Sequence, residues 1–283
     1  MKDKFKVETF LDSSYKLAEG PNYDSLSKNI SWVDIDSNLL CIMDQHQRIK
    51  EIDFKVKVGA AIPMKKPNAY FVCGEKALYT YEDGIIKEIY NLNKEYLPFQ
   101  RSNDAKADLY GRVWFSATVY DGIHANESKL FCYSNREVIC MDPDLKLGNG
   151  IAWNKKNDKM YLSDSGNHCI FIYDYDLDTG YISNRKVLCK IDGIPDGLTI
   201  DNDDNLWIAI WDGSRIEVRS GKTGILKKEI EVPTRNVTSC AFITDNYDSL
   251  LITTAKSSDS NGGKLYKLKV DAKGKQENYA KID

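Results

Sequence analysis

Gly148-Asn149-Gly150-Ile151-Ala152-Trp153, followed by Met160-Tyr161-Leu162-Ser163-Asp164-Ser165, is the stretch on which the reading of this chain turns. It reads as a turn, a short alternating strand, a second turn, and a strand that ends on a small residue and an aspartate. Pro195-Asp196-Gly197-Leu198-Thr199-Ile200 with Leu206-Trp207-Ile208-Ala209 repeats it about 47 residues later, within the 40–50 residue periods typical of propeller blades. Glu19-Gly20-Pro21-Asn22-Tyr23 with Ile30-Ser31-Trp32-Val33-Asp34 is a further copy. So are Asn103 to Asp108 with Val113-Trp114-Phe115-Ser116, and Ser239-Cys240-Ala241-Phe242-Ile243 with Leu250-Leu251-Ile252-Thr253. A weaker sixth copy runs from Gly59 to Tyr70-Phe71-Val72. A lone copy reads as a hairpin, because Asn-Gly and Asp-Gly are strong two-residue turn signals. Six copies in one phase do not.

Each copy is followed by another alternating run, such as Leu39-Leu40-Cys41-Ile42-Met43 or Cys169-Ile170-Phe171-Ile172-Tyr173, and then by a weaker outer one. Four strands repeated six times predict an all-β fold with almost no helix: a six-bladed β-propeller with four-stranded blades around a central channel. No linker-like shift in composition interrupts residues 1–283, which predicts one domain. Lys4-Phe5-Lys6-Val7-Glu8-Thr9-Phe10 alternates well enough to pair with the last blade near Gly263 to Val270 and so remove an exposed edge.

Composition excludes several partners. Lysine plus arginine (39) nearly balances aspartate plus glutamate (42) for a formal charge of -3, so no global field attracts nucleic acid or an anionic membrane. No apolar segment follows the charged first residues, and no run of about 18 apolar residues occurs, so a cytoplasmic protein is expected. The seven cysteines are scattered without a Cys-x-x-Cys pair, which argues for reduced, packed thiols.

When the copies are aligned on their second strands, the residues that open the first strand are Glu19, Gly59, Asn103, Asn149, Asp196 and Ser239. In a propeller these positions share one end of the channel. Carboxylates and carboxamides converging there call for a positive partner, because buried charge is costly unless paired or metal-bound. A hard divalent cation held by Glu19, Asn149 and Asp196 meets that need, with positions left for water and substrate. Ca2+ suits such a donor set better than the stricter Mg2+.

Five phrases carry a family resemblance: Ala18-Glu19-Gly20-Pro21; Arg101-Ser102-Asn103-Asp104 with Gly111-Arg112; Gly148-Asn149-Gly150 with Ala152-Trp153; Ile194-Pro195-Asp196-Gly197-Leu198; and Thr238-Ser239-Cys240-Ala241-Phe242. Over essentially its full length the chain resembles the senescence-marker protein, gluconolactonase and regucalcin family of six-bladed propellers. The resemblance implies a lactonase that opens a small sugar-type lactone with one divalent metal, Ca2+, Zn2+, Mg2+ or Mn2+, held by Glu19, Asn149 and Asp196. It further implies that Asn103 sits near the metal-bound water or the substrate and that Arg101 lines the pocket, both as substrate-binding residues. Asp196 is the candidate general base, because a carboxylate beside the attacking water can accept its proton. This sequence departs from the family at Ser116-Ala117-Thr118, where Gly-Thr-Met is common, and in the loop over residues 120–127, so the particular lactone stays open. Competing readings are a phosphotriesterase-like hydrolase and a non-enzymatic calcium-binding propeller.

The other polar and aromatic residues receive plainer expectations. Asp104 supports its loop; Asp34 and Asp164 cap strands between blades. Trp32, Trp114 and Trp207 pack between blades, while Trp211 and Tyr23 are either pocket walls or core. His46 and His168 are exposed or packed, His124 sits near a pocket loop, and Lys65-Lys66 and Lys227-Lys228 are solvated faces.

Overall fold

A computed structural model describes residues 6–119 and 127–282. The loop around His124 therefore lies outside the described residues. Six four-stranded antiparallel sheets form the blades. Their innermost strands are Ala18–Asp24, Val58–Pro63, Gln100–Ala107, Gly148–Trp153, Ile194–Ile200 and Val237–Ile243, numbered here as blades 1 to 6. Neighbouring inner strands are in contact around the ring, and the last also meets the first. The one helix among the described residues is the three-residue 3-10 turn Ile35–Ser37.

Blade 6 is closed as the alternation near the start of the chain predicts. Glu8–Leu11 pairs antiparallel with Leu265–Lys269, so the outer strand of the last blade comes from the other end of the chain. The ring is thus clasped by backbone hydrogen bonds.

The core is divided among the seams. Six apolar clusters form, one between each pair of neighbouring blades. Trp114 meets Trp153 edge-on at 6.0 Å between blades 3 and 4, and Trp207 meets Phe242 at 5.3 Å between blades 5 and 6. Trp32 is likewise fully buried, in the seam that closes the ring. Each such side chain contributes roughly 1.5–3 kcal/mol by leaving water, which is why the tryptophans recur at one place in the repeat. Asp34 and Asp164 are caps, as expected. Each accepts two backbone N–H groups from the turn leading into its own blade: Lys16 and Leu17 for Asp34, Lys146 and Leu147 for Asp164. All seven cysteines are free, and five are buried. His46, His168, both lysine pairs and Cys140 are exposed.

One irregularity recurs in every blade. Each inner strand slips register against its neighbour near its start: at Glu19/Asn22, Val58/Ala60, Ser102/Ala105, Gly148/Ile151, Pro195/Leu198 and Val237/Ser239. These are β-bulges, which bend a strand and re-aim its side chains. The glycines after Asn149 and Asp196 belong to bulges rather than to hairpin turns. A Cβ on Gly150 would stand 2.3 Å from the Leu198 nitrogen and 2.8 Å from the Asp196 oxygen of the next blade. The backbones touch there, and only glycine fits. Gly150→Ala is therefore expected to lower the urea midpoint at unchanged slope, by about 1–3 kcal/mol of stability. An unchanged midpoint would show that the two strands are not pressed together.

Candidate functional site

The bulges assemble the site. In blades 3, 4 and 5 two residues oppose one: Asn103-Asp104 face Ser116, Asn149-Gly150 face Ser163, and Asp196-Gly197 face Ala209. The extra residue turns side chains away from the strict in-out alternation and toward the channel. Glu19, Asn149 and Asp196 are each buried, with only 6–7% of their surface exposed.

The two carboxylates sense one another. Burial pushes the Glu19 carboxyl well above the usual range, and the charges of Asp196 and Asp104 push it further, against the Gly20 N–H and Arg101. Asp196 is raised in the same way, by burial and then by Asp104, while a hydrogen bond from Asn149 and the charge of Arg101 act in the opposite sense. Among the described residues none of these three acids forms an ion pair within 4 Å. Glu19 accepts the Gly20 N–H at 2.9 Å. Two unpaired carboxylates at the mouth of one channel leave a strong need for positive charge.

Asn149 is held in place. Its amide donates to Ser165 Oγ at 3.2 Å, and Ser165 donates in turn to the Pro195 carbonyl at 2.5 Å. This relay ties blade 4 to blade 5 beside Asp196. Ser165 stands in the phrase read from the sequence, yet its bearing on Asn149 needed the fold.

Arg101 and Asn103 form a second pair. Arg101 Nη1 donates to Asn103 Oδ1 at 3.1 Å and to the Ser102 carbonyl at 2.8 Å. Asn103 donates to the Gly148 carbonyl at 3.1 Å, bridging blades 3 and 4 next to Asn149. The guanidinium is partly buried, and burial depresses its proton affinity against the pull of Asp36 and Glu19. Its charge reaches both acids of the site.

Asp104 braces its own bulge, accepting the Ala105 N–H at 2.7 Å, and it also joins the channel acids: its charge acts on Glu19 and Asp196, and burial raises its carboxyl to about 6, opposed by Lys106. Of the two readings for Tyr23, the structure takes the core one. Tyr23 packs in the seam between blades 6 and 1 and donates to Asp245 at 2.6 Å, whereas half-buried Trp211 pairs with Ile194 at the site end. Two surface cavities of about 590 and 620 Å3 lie between blades 3 and 4 and between blades 1 and 2, and neither includes a channel acid.

The donors are hard oxygens, which suit Ca2+, Mg2+ or Mn2+ better than metals that favour sulfur. Among the described residues no three His, Cys, Asp or Glu side chains gather as a metal cluster. Glu19 and Asp196 with the amide of Asn149 are a two-acid, one-amide set. Among the described residues neither acid is ion-paired within 4 Å, which fits a divalent ion.

Fold and site together define a six-bladed propeller with an acidic, oxygen-lined centre at one end of its channel. Residues 17–256 match the family described as the SMP-30/Gluconolactonase/LRE-like region. The chain belongs to that family. The provisionally named sugar lactone lactonase YvrE of Bacillus subtilis is 32% identical over 252 residues, 86% of this chain and 85% of its own. Regucalcin of Xenopus laevis is 26% identical over 283 residues, covering 93% of this chain and 94% of its own. Among solved structures, a luciferin-regenerating enzyme superposes with a TM-score of 0.91 at 27% identity, over 98% of this chain and 100% of its own.

Proposed function

We propose that this chain is a divalent-metal-dependent hydrolase of small lactones of the sugar-lactone kind. The observation that carries the reading is the pair of buried, mutually repelling carboxylates, Glu19 and Asp196, beside the tethered amide of Asn149. Membership in the family and the likeness to YvrE support the substrate class. Glu19, Asn149 and Asp196 would hold the ion, with Ca2+ the first candidate. Bound there, it would supply Lewis acidity toward the lactone carbonyl.

The chain's own residues do the rest. Arg101 presents a planar donor fork to substrate hydroxyls, and Asn103 keeps that fork in place. Asp196 accepts a proton from water as the water oxygen bonds to the carbonyl carbon. The ring C–O bond then breaks, and the proton passes to the departing ring oxygen to give the open hydroxy acid. The raised proton affinity of Asp196 in this site suits a base better than an ordinary surface aspartate, and a bound cation would draw it back down.

The test is turnover of aldonolactones, γ-lactones and one aryl phosphotriester by metal-stripped protein, before and after addition of Ca2+, Mg2+, Mn2+ or Zn2+. Lactone opening that is absent from the stripped protein and restored by an added ion is the expected result. Full lactonase activity without metal would sink the metal reading. Turnover of the phosphotriester alone would make the chain a phosphoester hydrolase, and tight ion binding without turnover would make it a calcium-binding propeller.

A further inference from the structure

Beyond Val270 the chain crosses the end of the channel opposite the acidic cluster. Residues 271–282 touch the far ends of all six inner strands or the turns that follow them. Gly274 donates to the Tyr247 carbonyl at 2.8 Å, and Lys275 to that of Ile200 at 3.2 Å. Asn278 reaches the Ala107 carbonyl at 3.1 Å, Tyr279 donates to Asp24 at 2.9 Å, and Ala280 donates to the Pro63 carbonyl at 2.9 Å. The Lys275 ammonium lies 3.1–3.3 Å from the carbonyls of Trp153 and Asn154 and from Asn157 Oδ1.

Glu277 links two blades. Its carboxylate pairs with Lys106 of blade 3 at 2.9 Å and accepts the Thr199 hydroxyl of blade 5 at 3.0 Å. Lys106 also donates to the Leu198 carbonyl, and its charge acts on Asp104 deeper in the channel. Between residues 275–278 and the ends of blades 3, 4 and 5 the remaining cavity is about 10 Å3, about the room of one water, while a cavity of about 470 Å3 lies between residues 275–281 and the turns after the inner strands of blades 2 and 3. The segment spans the far mouth.

Two features make this closure separable from the blades. The ring is clasped by Glu8–Leu11 on Leu265–Lys269, and the crossing segment adds no strand to any of the six sheets. Its hold is mostly polar: Ala280 is its one fully buried apolar side chain, with Ala272 and Ile282 packed only in part. Segments with few buried apolar contacts open at free energies below that of global unfolding.

We propose that residues 271–282 are a releasable plug: they span the far mouth of the channel and leave it in a step distinct from unfolding of the blades. Release exposes Lys106 and gives water and small ions a second path to Asp104. The proposal does not depend on the lactonase reading.

Hydrogen exchange on the full-length chain tests it directly, with amine modification at Lys106 read by peptide mass spectrometry. The amides of Gly274, Lys275, Ala280 and Lys281 are expected to exchange about 100-fold or more ahead of those in the inner strands. Glu277→Gln together with Tyr279→Phe should speed Lys106 modification about tenfold or more while exchange in the blades holds. A chain ending at Val270 should keep its β spectrum and modify Lys106 as an open lysine. Exchange of the plug amides only with the blades would overturn the proposal, as would Lys106 modification that ignores the double variant, or failure of the shortened chain to fold. None of these readouts uses catalysis, so loss of either reading leaves the other standing.

Discussion

Asp196→Asn is expected to lower kcat for lactone opening by at least about 10³-fold with metal present, toward the upper end of what a general base contributes. The exchange keeps the size of the side chain and one oxygen. It removes the ability to accept a proton, and it removes one of the two negative charges offered to the cation. A split between these losses is measurable. Metal titration by calorimetry reports the ligand role, and kcat at saturating metal reports the base. If the variant binds the ion more weakly but reaches more than a tenth of the normal kcat once saturated, Asp196 is a ligand and not the base. The buried position of Asp196 and its neighbour Gly197, whose Cβ position lies 2.1 Å from Ser239 Oγ, make larger substitutions here poor controls.

The second large effect is a reversal of sign. Asp104 carries a proton affinity raised from 3.8 to about 6, and Glu19 and Asp196 are raised as well. Between the unfolded value and the raised folded value the native chain binds more protons than the unfolded chain, so stability falls as pH rises through that window. For Asp104 the window runs from 3.8 to about 6, and above it the destabilisation is fully present. Metal-stripped protein should therefore melt higher at pH 5 than at pH 8. Glu19→Gln and Asp196→Asn should each raise the melting temperature of the stripped protein at pH 8, because each removes a repelling charge. Added Ca2+ should invert the order. At 100 times its dissociation constant it would stabilise the normal chain by about 2.7 kcal/mol and the variants far less. For a chain of this size that is a rise of roughly 5 °C, readable by calorimetry. Variants that melt lower than the normal chain when both are stripped would remove the case for a repulsive acidic site.

How far the residues announce this arrangement differs from one part to the next. The six copied phrases announced the blades, because each blade must bury the same faces against its neighbours and so needs the same residue types in the same order. Glu19, Asn149 and Asp196 were legible for a related reason. They hold equivalent places in the repeat, and equivalent places in a ring share one end of the channel.

Asp104 was not legible. Strand alternation would turn it away from Asn103, and only the bulge at Ser102/Ala105 carries it inside the channel. Tyr23 was left open between pocket wall and core, and the structure settles it as core: four strand residues after Glu19 the chain has already reached the seam near the far end. Ser165 was quoted in the opening phrase without a role, since its relay to Asn149 and Pro195 spans two blades.

By itself the sequence determined the blade count, the clasp between the first and last strands, the tryptophan-filled seams and the ring of polar residues at one end of the channel. These follow from local patterns repeated at a constant period, which a linear reading detects. Only the tertiary structure decided that Asp104 joins the acids, that Ser165 steers Asn149, and that residues 271–282 plug the far mouth. None of these is carried by the repeat pattern: the first rests on a bulge between paired strands, the second on a relay between neighbouring blades, and the third on a seat shared by all six blades. The plug shows this most plainly, because its seat is made from the ends of six separate strands and exists only once the ring has closed.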